Sequence, residues 1–337
     1  MLFFVGTRGS NLALKQTEIF LESIRKKYEK LGENHPQFEI KIIKTKGDKI
    51  LDSPLSRIPG KGFFVKEIED ELIEGKIDFA VHSLKDVPTE LPPQLTISAY
   101  LERENPADVL LGLSREEIFD RIKKGYEVKI GTSSLRREFQ IKRIFGEKVK
   151  VIPIRGNLDT RIKKLERGEC DALIVAFAGV VRMKFDNLIK DILPPQEFLY
   201  PPGQGIIAVE TRIGSEAERI AQIVNDKKTQ FLGILEREIV KNIGGGCNSP
   251  FGICTEIKEY DNNDDNDNNN NNNNNKVKKE NDTAVDDNKF ILYVKFEAFE
   301  VNIRFEDEFR ISSLDSSQIP YIVSDILAKR IVGKTKR

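Results

Sequence analysis

Cysteine and histidine are scarce in this sequence, with three of the first and two of the second in 337 residues. The cysteines are odd in number and show no CxxC spacing, which argues against a disulfide framework or a zinc site and fits a reducing compartment. With His35 in a loop and His82 read as a structural residue at a strand end, no Ser–His–Asp or Cys–His set can be assembled and no metal site is expected. Excess charge is missing too: 54 basic residues meet 54 acidic ones, whereas a nucleic-acid binder is usually basic overall. No apolar run reaches membrane-spanning length. The strand-like LFFVGT begins at Leu2, so no signal or transit peptide is expected in this chain; any targeting segment is expected to have been removed or to lie outside it.

What is present is regular, in a chain long enough for two or three domains. Leu2–Val5 reads as a strand, Leu12 to Lys30 as a helix stopped by Gly32, and Phe38–Lys44 as a second strand. From Thr45 to Gly62 the periodicity dissolves, and a loop that long inside a domain is usually functional or mobile. Val65–Glu74 reads as a helix stopped by Gly75, and Ile77–His82 as a buried strand. The pattern then recurs. Glu74-Gly75-Lys76-Ile77-Asp78-Phe79-Ala80-Val81 parallels Arg167-Gly168-Glu169-Cys170-Asp171-Ala172-Leu173-Ile174, and Val5-Gly6-Thr7 parallels Ile130-Gly131-Thr132. Two similar α/β lobes imply a cleft, with strand ends and helix starts facing a ligand.

Proline pairs at Pro194-Pro195 and Pro201-Pro202 then break the chain, and the strand Ile206–Glu210 is expected to return to the first lobe. A third region follows: helix Phe231–Asn242, the turn Gly244-Gly245-Gly246-Cys247-Asn248-Ser249-Pro250, strands Phe251–Ile257 and Phe290–Phe299, and a closing helix over Ser316–Val332. Between those strands lies an Asn-rich tract that buries nothing and reads as a disordered, expanded hairpin loop. The expected domains are 1–101 with 203–227, 102–202, and 228–337, the last α+β with the disordered insert at about 260–287.

Chemistry concentrates between Lys129 and Arg161. A strand ends at Ile130, Gly131, Thr132, Ser133 and Ser134 turn, and a helix starts at Leu135 with Ser133 or Ser134 as its cap. Helix starts bind anions, yet Arg136 and Arg137 occupy the first turn, where the dipole disfavours cations. Something negative is therefore expected there. Arg8, Arg136, Arg137, Arg155, Arg161 and Arg182 all fall at strand ends or helix starts on the cleft side, and arginine pairs carboxylates bidentately. A ligand bearing several carboxylates is implied. On the loop His82-Ser83-Leu84-Lys85-Asp86-Val87-Pro88, an Asp beside a Lys can hold a developing cation and relay a proton, but the same residues also make an ordinary surface turn. Cys247, after three glycines, is either a free thiol in a flexible turn or a covalent site.

The sequence resembles the hydroxymethylbilane synthase (porphobilinogen deaminase) family through VHSLKDVPTELP, GTSSLRRE, IRGNLDTRIKKLERGECDALIVAFAGVVR, PPGQG and GGGCNSP, in that order and over nearly the whole chain except the insert. The resemblance implies two periplasmic-binding-protein-like lobes with a cleft, plus a small α+β domain. It implies a transferase that adds porphobilinogen units, with loss of ammonia, to a dipyrromethane cofactor held by thioether to Cys247. Water then releases the linear tetrapyrrole 1-hydroxymethylbilane. Carried over, Asp86 is catalytic. Lys85, Asp86, Thr132, Ser133, Ser134, Arg136, Arg137, Arg155 and Gly156 hold the cofactor, and Arg8, Ser10, Gln16, Phe64, Arg155, Arg161, Arg182 and Gln204 serve the substrate and the growing polypyrrole. Thr45–Gly62, followed by Phe63 and Phe64, would be a mobile lid. No nucleic acid, membrane or metal partner is implied, and a monomer is expected. The insert departs from the family pattern and suggests an AT-rich genome, such as occurs in parasites that keep a plastid; a soluble intracellular protein of the cytoplasm or a plastid is expected. The alternative is a non-catalytic two-lobed binding protein for a small polycarboxylate, which would need neither Asp86 nor Cys247.

Overall fold

Two five-stranded sheets grow from the two repeated starts. The computed structural model describes residues 1–45, 65–242, 251–259, 290–299, 303–311, 314 and 318–335. Most of the Thr45–Gly62 stretch, Phe64, Cys247 and the Asn-rich insert lie outside the described residues.

In the first lobe β1 (Leu2–Thr7) runs parallel to β2 (Gln37–Ile42) and β3 (Phe79–Ser83). Between them run α1 (Asn11–Leu31) and α2 (Lys66–Ile73). After β4 (Leu95–Tyr100) the chain leaves for the second lobe and returns as β10 (Ile207–Arg212), antiparallel to β3 and β4 and followed by α7 (Glu216–Gln222), giving the order β2-β1-β3-β10-β4. The second lobe contains β5 (Asp108–Leu111), α3 (Arg115–Lys123), β6 (Val128–Gly131), α4 (Leu135–Phe145), β7 (Val149–Ile152), α5 (Leu158–Glu166), β8 (Ala172–Ala176), α6 (Phe177–Arg182) and β9 (Ile189–Leu193). Its order is β7-β6-β8-β5-β9, with β6 parallel to β7 and β8, and β5 antiparallel to its neighbours. Each sheet thus takes as its fourth strand the segment arriving directly from the other lobe. Two chain crossings tie the lobes.

The recurring Gly-x-x-Asp has a physical cause. Gly75 (φ 72°) and Gly168 (φ 75°) end helices in the left-handed conformation that glycine adopts without penalty. Three residues on, Asp78 Oδ2 accepts from the Phe4 amide at 2.9 Å, and Asp171 Oδ2 accepts from the Lys129 amide at 2.8 Å. Each aspartate satisfies a backbone donor of the strand that carries Gly6 or Gly131. A Cβ on Gly6 would lie 2.3 Å from Ile77 Cδ1, and one on Gly131 would lie 2.8 Å from Cys170 Sγ. Cys170 is therefore the second lobe's counterpart of Ile77, a buried apolar filler.

Alternating apolar residues put a core on each sheet face. In the first lobe Phe3, Val5 and Phe79 meet Phe20 and Ile24 of α1 on one side, and Ile68, Leu72 and Ile77 pack with Ala80 on the other. Ser10 caps α1, its Oγ accepting from the Ala13 amide at 3.2 Å.

The third unit is a meander of β11 (Phe251–Glu259), β12 (Phe290–Ala298) and β13 (Ile303–Ile311), packed with α8 (Lys227–Asn242) and α9 (Ile319–Thr335). β11 and β12 pair antiparallel from Phe251↔Ala298 to Glu259↔Phe290, so the insert joins the paired ends. Neither β13 nor the first turn of α8 stood out in the sequence. At the junction of all three units Glu236 of α8 accepts from Arg103 Nη1 (2.7 Å) and the Gly203 amide (2.7 Å), pinning both crossings. Among the described residues no helix is long and apolar enough to cross a membrane.

Candidate active site between the lobes

At the end of β3 the chain turns through a single 3₁₀ turn, Leu84–Asp86, against the returning crossing. Ser83 Oγ accepts from Gln16 Nε2 of α1 at 2.8 Å, tying this strand end to the helix capped by Ser10. Asp86 is exposed, while Lys85 is half-buried with Nζ 3.3 Å from Gln204 Oε1. Burial pulls Lys85 down to about 8, opposed by Asp86 and aided by Arg137.

Opposite stands the start of α4. Thr132 is buried and donates its amide to Ile152 O at 2.9 Å, Ser133 Oγ donates to Ile154 O at 3.0 Å, and the Ser134 amide donates to Thr132 Oγ1 at 3.2 Å. Ser134 is the cap residue by backbone, yet its side chain makes no capping bond. Arg136 and Arg137 are only 5% and 6% exposed. Their negative partner is the chain's own Asp108, the first residue of β5: Arg136 Nη2 donates at 2.8 Å to Oδ2, and Arg137 donates through Nη2 at 2.7 Å to Oδ1 and through Nε at 3.1 Å to Oδ2. Further donors go to the carbonyls of Leu199, from Arg136 Nη1, and Ile174, from Arg137 Nη1. The negative charge expected at this helix start is thus supplied from within the chain. Nothing in the sequence near Asp108 marked it, since an Asp before a short apolar run is ordinary.

Burial by itself would raise the Asp108 carboxyl, and Arg137 and Arg136 overcome it and hold it well below the usual carboxylate range. Gln204 Nε2 adds a fourth donor to that carboxylate, at 2.9 Å to Oδ1.

The remaining cations lie on the same side. Gly156 (φ 112°) follows Arg155 and turns its carbonyl to accept from Arg161 Nε at 2.7 Å; a Cβ there would meet Thr160 at 2.9 Å. Arg161 is lowered to about 10 by burial, then by Arg137, opposed by Asp86, and lowered again by Arg155. Arg182 Nη2 donates to Gly205 O at 2.6 Å and is lowered to about 10 by burial, opposed by Glu104. Neither Arg161 nor Arg182 makes a salt bridge among the described residues. Arg8 follows β1 at the same edge of the first sheet. The structure thus gathers Lys85, Asp86, Arg136, Arg137, Arg155, Arg161 and Gln204 into one electrostatic cluster between the lobes. Ser10 and Gln16 stand on the α1 side, Arg182 is at the second crossing, and Phe64 and Cys247 are outside the described residues.

Beneath the Lys85–Asp86 turn, His82 is buried with Nε2 3.2 Å from Glu210 Oε2, out of line for a hydrogen bond. Buried Glu69 of α2 is raised to about 7 by burial, then by the Glu210 charge, with His82 opposing. Among the described residues no group of His, Cys, Asp and Glu could hold a metal ion.

Comparison with known proteins adds the family. Residues 3–220 match the family model described as "Porphobilinogen deaminase, dipyromethane cofactor binding domain". A porphobilinogen deaminase of Chlorobium phaeobacteroides (strain BS1) is 42% identical over 255 residues, covering 75% of this chain and 79% of that protein. A probable porphobilinogen deaminase of Archaeoglobus fulgidus is 40% identical over 257 residues, covering 76% and 84%. Among solved structures, a TRAP periplasmic solute binding protein from Desulfovibrio salexigens matches with a TM-score of 0.39 at 10% identity, over 71% of this chain and 76% of that one. So distant a likeness carries no weight beside the sheet orders above.

Proposed function

This chain belongs to the porphobilinogen deaminase family, and we propose that its two lobes divide that family's reaction between them. The reaction is hydroxymethylbilane synthesis: porphobilinogen units are joined stepwise with loss of ammonia on a covalently bound dipyrromethane, and water releases the linear tetrapyrrole 1-hydroxymethylbilane. The described residues fit that cofactor. Lys85, Arg161 and Arg182 are half-buried cations pulled down by burial, with neutral oxygens of Gln204, Gly156 and Gly205 as their hydrogen-bond partners. A set of carboxylates is what such cations lack. When bound, the dipyrromethane supplies the free pyrrole α-carbon at which the chain grows.

In the proposed division, exposed Asp86 is the catalytic carboxylate: it faces developing positive charge and carries the proton lost at each addition. Lys85, Arg155 and Arg161, with Arg136 and Arg137 behind them, orient the acid side chains, and Thr132, Ser133, Ser134 and Gly156 line the helix-start side. Arg8, Ser10, Gln16, Phe64, Arg182 and Gln204 serve the incoming substrate. Cys247 is the proposed thioether anchor. The proposed domains are 1–101 with 203–227, 102–202 and 228–337, in a monomer resident in the cytoplasm or a plastid. The observation that carries this reading is the meeting of Asp86 with Lys85, Arg137, Arg155 and Arg161 across the cleft. A polyacid receptor would use the arginines but would gain nothing from an exposed carboxylate among them.

The test is the intact mass of the purified protein before and after porphobilinogen, with peptide mapping at Cys247. A two-pyrrole adduct there that grows in single-pyrrole steps is the expected result. A mass that stays bare after long incubation with substrate would move the binding-protein reading ahead.

A further inference from the structure

We propose that Asp108 is a positioning residue of this reaction: its single carboxylate sets Arg136 and Arg137 and, through Gln204, the Lys85 ammonium of the opposite lobe. The inference rests on the reading of the cleft given above. Asp108 is fully buried, and its two oxygens receive four side-chain donors, three from the arginines and one from Gln204 Nε2. Gln204 lies on the second crossing, and its amide is held at both ends: Nε2 donates to Asp108 and to Pro106 O at 2.7 Å, while Oε1 faces Lys85 Nζ at 3.3 Å. A line of polar contacts therefore runs from the helix-start arginines of the second lobe, through an acid at the mouth of the first crossing, to the lysine beside Asp86.

The chemistry goes beyond holding the fold. A buried ion pair is weak evidence for stability, because well-packed apolar residues often replace it at no cost. Here the donors act on the cleft's own groups, Arg137 and Arg136 on Lys85 and Arg137 on Arg161. Arg137's Nε and Nη2, the edge it would use for a bidentate grip on a ligand carboxylate, are both engaged by Asp108. Arg137 is thereby assigned to the floor, and the grip falls to Arg155, Arg161 and Lys85. Asp108 also leaves the arginine pair with one net positive charge instead of two, beneath a lysine already pushed toward neutrality. The charged groups acting on Lys85 are Asp86 and Asp108, which favour its protonated form, and Arg137 and Arg136, which oppose it. Removing the Asp108 charge takes away one support and unshields both opponents, so Lys85 should lose its proton at lower pH.

The experiment compares wild type with Asp108→Asn and Asp108→Glu as full-length holoenzymes. The readouts are kcat and KM for porphobilinogen against pH and the titration of Lys85 by ¹³Cε NMR, assigned with Lys85→Arg. In Asp108→Asn the expected results are a loss of kcat/KM on the order of a hundredfold and a Lys85 titration moved down by about one pH unit, with the alkaline limb of kcat/KM moving alongside. Asp108→Glu keeps the charge and displaces it, so the limb should stay while the rate falls. A purely structural acid would lower the melting temperature of both variants and leave the limb and the Lys85 titration where they were, which would overturn the proposal. Should Asp108→Asn fail to fold, Gln204→Leu cuts the bridge to Lys85 and leaves both arginines paired. A milder loss with the same direction of shift is expected, and wild-type values there would sink the idea. Wild type is assayed alongside. If it too fails to polymerise porphobilinogen, the proposed function falls; if only the variants match it, only the role of Asp108 falls.

Discussion

The two lobes are built to one plan and equipped differently. Each has three parallel strands, a fourth antiparallel strand delivered by a crossing, and a Gly-x-x-Asp lock from a helix end to a neighbouring strand. At the strand ends they part. The first lobe presents a short turn with an exposed acid, Asp86, beside Lys85; the second presents Arg137, Arg155 and Arg161, with Asp108 beneath. A duplicated scaffold thus offers a carboxylate from one side and cations from the other. Buried polar links at the crossings, Glu236 to Arg103 and Gly203 and Gln204 to Asp108, tie the two sides together.

Breaking the first lobe's half should have the largest effect. Asp86→Ala is expected to reduce turnover by about 10² to 10⁴, the usual range for a proton-handling group, while the fold and the bound primer remain. Product formation at the wild-type rate would remove Asp86 from the account. Weakening the second lobe's half should cost less, because several cations share the load. Arg161→Leu is expected to lose a charge-assisted contact worth about 1.5–3 kcal/mol, read as roughly a ten- to hundredfold fall in kcat/KM for porphobilinogen. An unchanged value would mean that the cradle lies elsewhere.

The shared plan can be tested apart from the chemistry. Gly6→Ala and Gly131→Ala each drive a methyl into the residue two places after the helix-stop glycine, Ile77 or Cys170. Overpacking of this kind costs about 1–3 kcal/mol in each, the Gly6 Cβ meeting Ile77 Cδ1 at 2.3 Å and the Gly131 Cβ meeting both Cys170 Sγ and Ile154 Cγ1 at 2.8 Å. Chemical denaturation of the two variants measures the loss, and wild-type stability in either one would argue against the equivalence of the sites.

The smallest expected effect concerns Glu69, which has no described counterpart in the second lobe. Its carboxyl is raised to about 7 from an ordinary 4.5, so the native state keeps a proton that the unfolded chain gives up between those values. Its contribution to stability is full below 4.5 and is lost as pH rises through 7. Glu69→Gln cannot ionise, and at pH 8 it should be the more stable protein by on the order of 1 kcal/mol, with the advantage gone at pH 4. Parallel melting curves for the two proteins at both pH values would contradict this.

Much of the scaffold could be read from sequence because it is written in local signals. The glycine after each helix, the aspartate three places on and the Gly-Thr strand ends are short-range requirements of backbone geometry, and they appeared twice. The return of Ile206–Glu210 to the first lobe followed from the proline breaks around it, and β10 does pair with β3 and β4. In the second lobe β7 stops at Ile152, since Pro153 has no amide to give a ladder. Asp108 was not legible. Its importance comes from four donors that reach it from positions 28 to 96 residues away, and no local pattern records such a meeting. The oddity that pointed to it, two arginines at a helix start, was visible, but it names a missing charge without saying which residue supplies it.

The division of labour between the lobes is tested most directly by the mass distribution of Asp86→Ala and Arg161→Leu, each purified with its primer and then given porphobilinogen. The account predicts that the first variant stays at the primer mass, because no addition is completed without the acid. The second should add units and stall part-way, because the growing chain's carboxylates are poorly held. A full ladder of added pyrroles in Asp86→Ala, formed as fast as in the wild type, would contradict it.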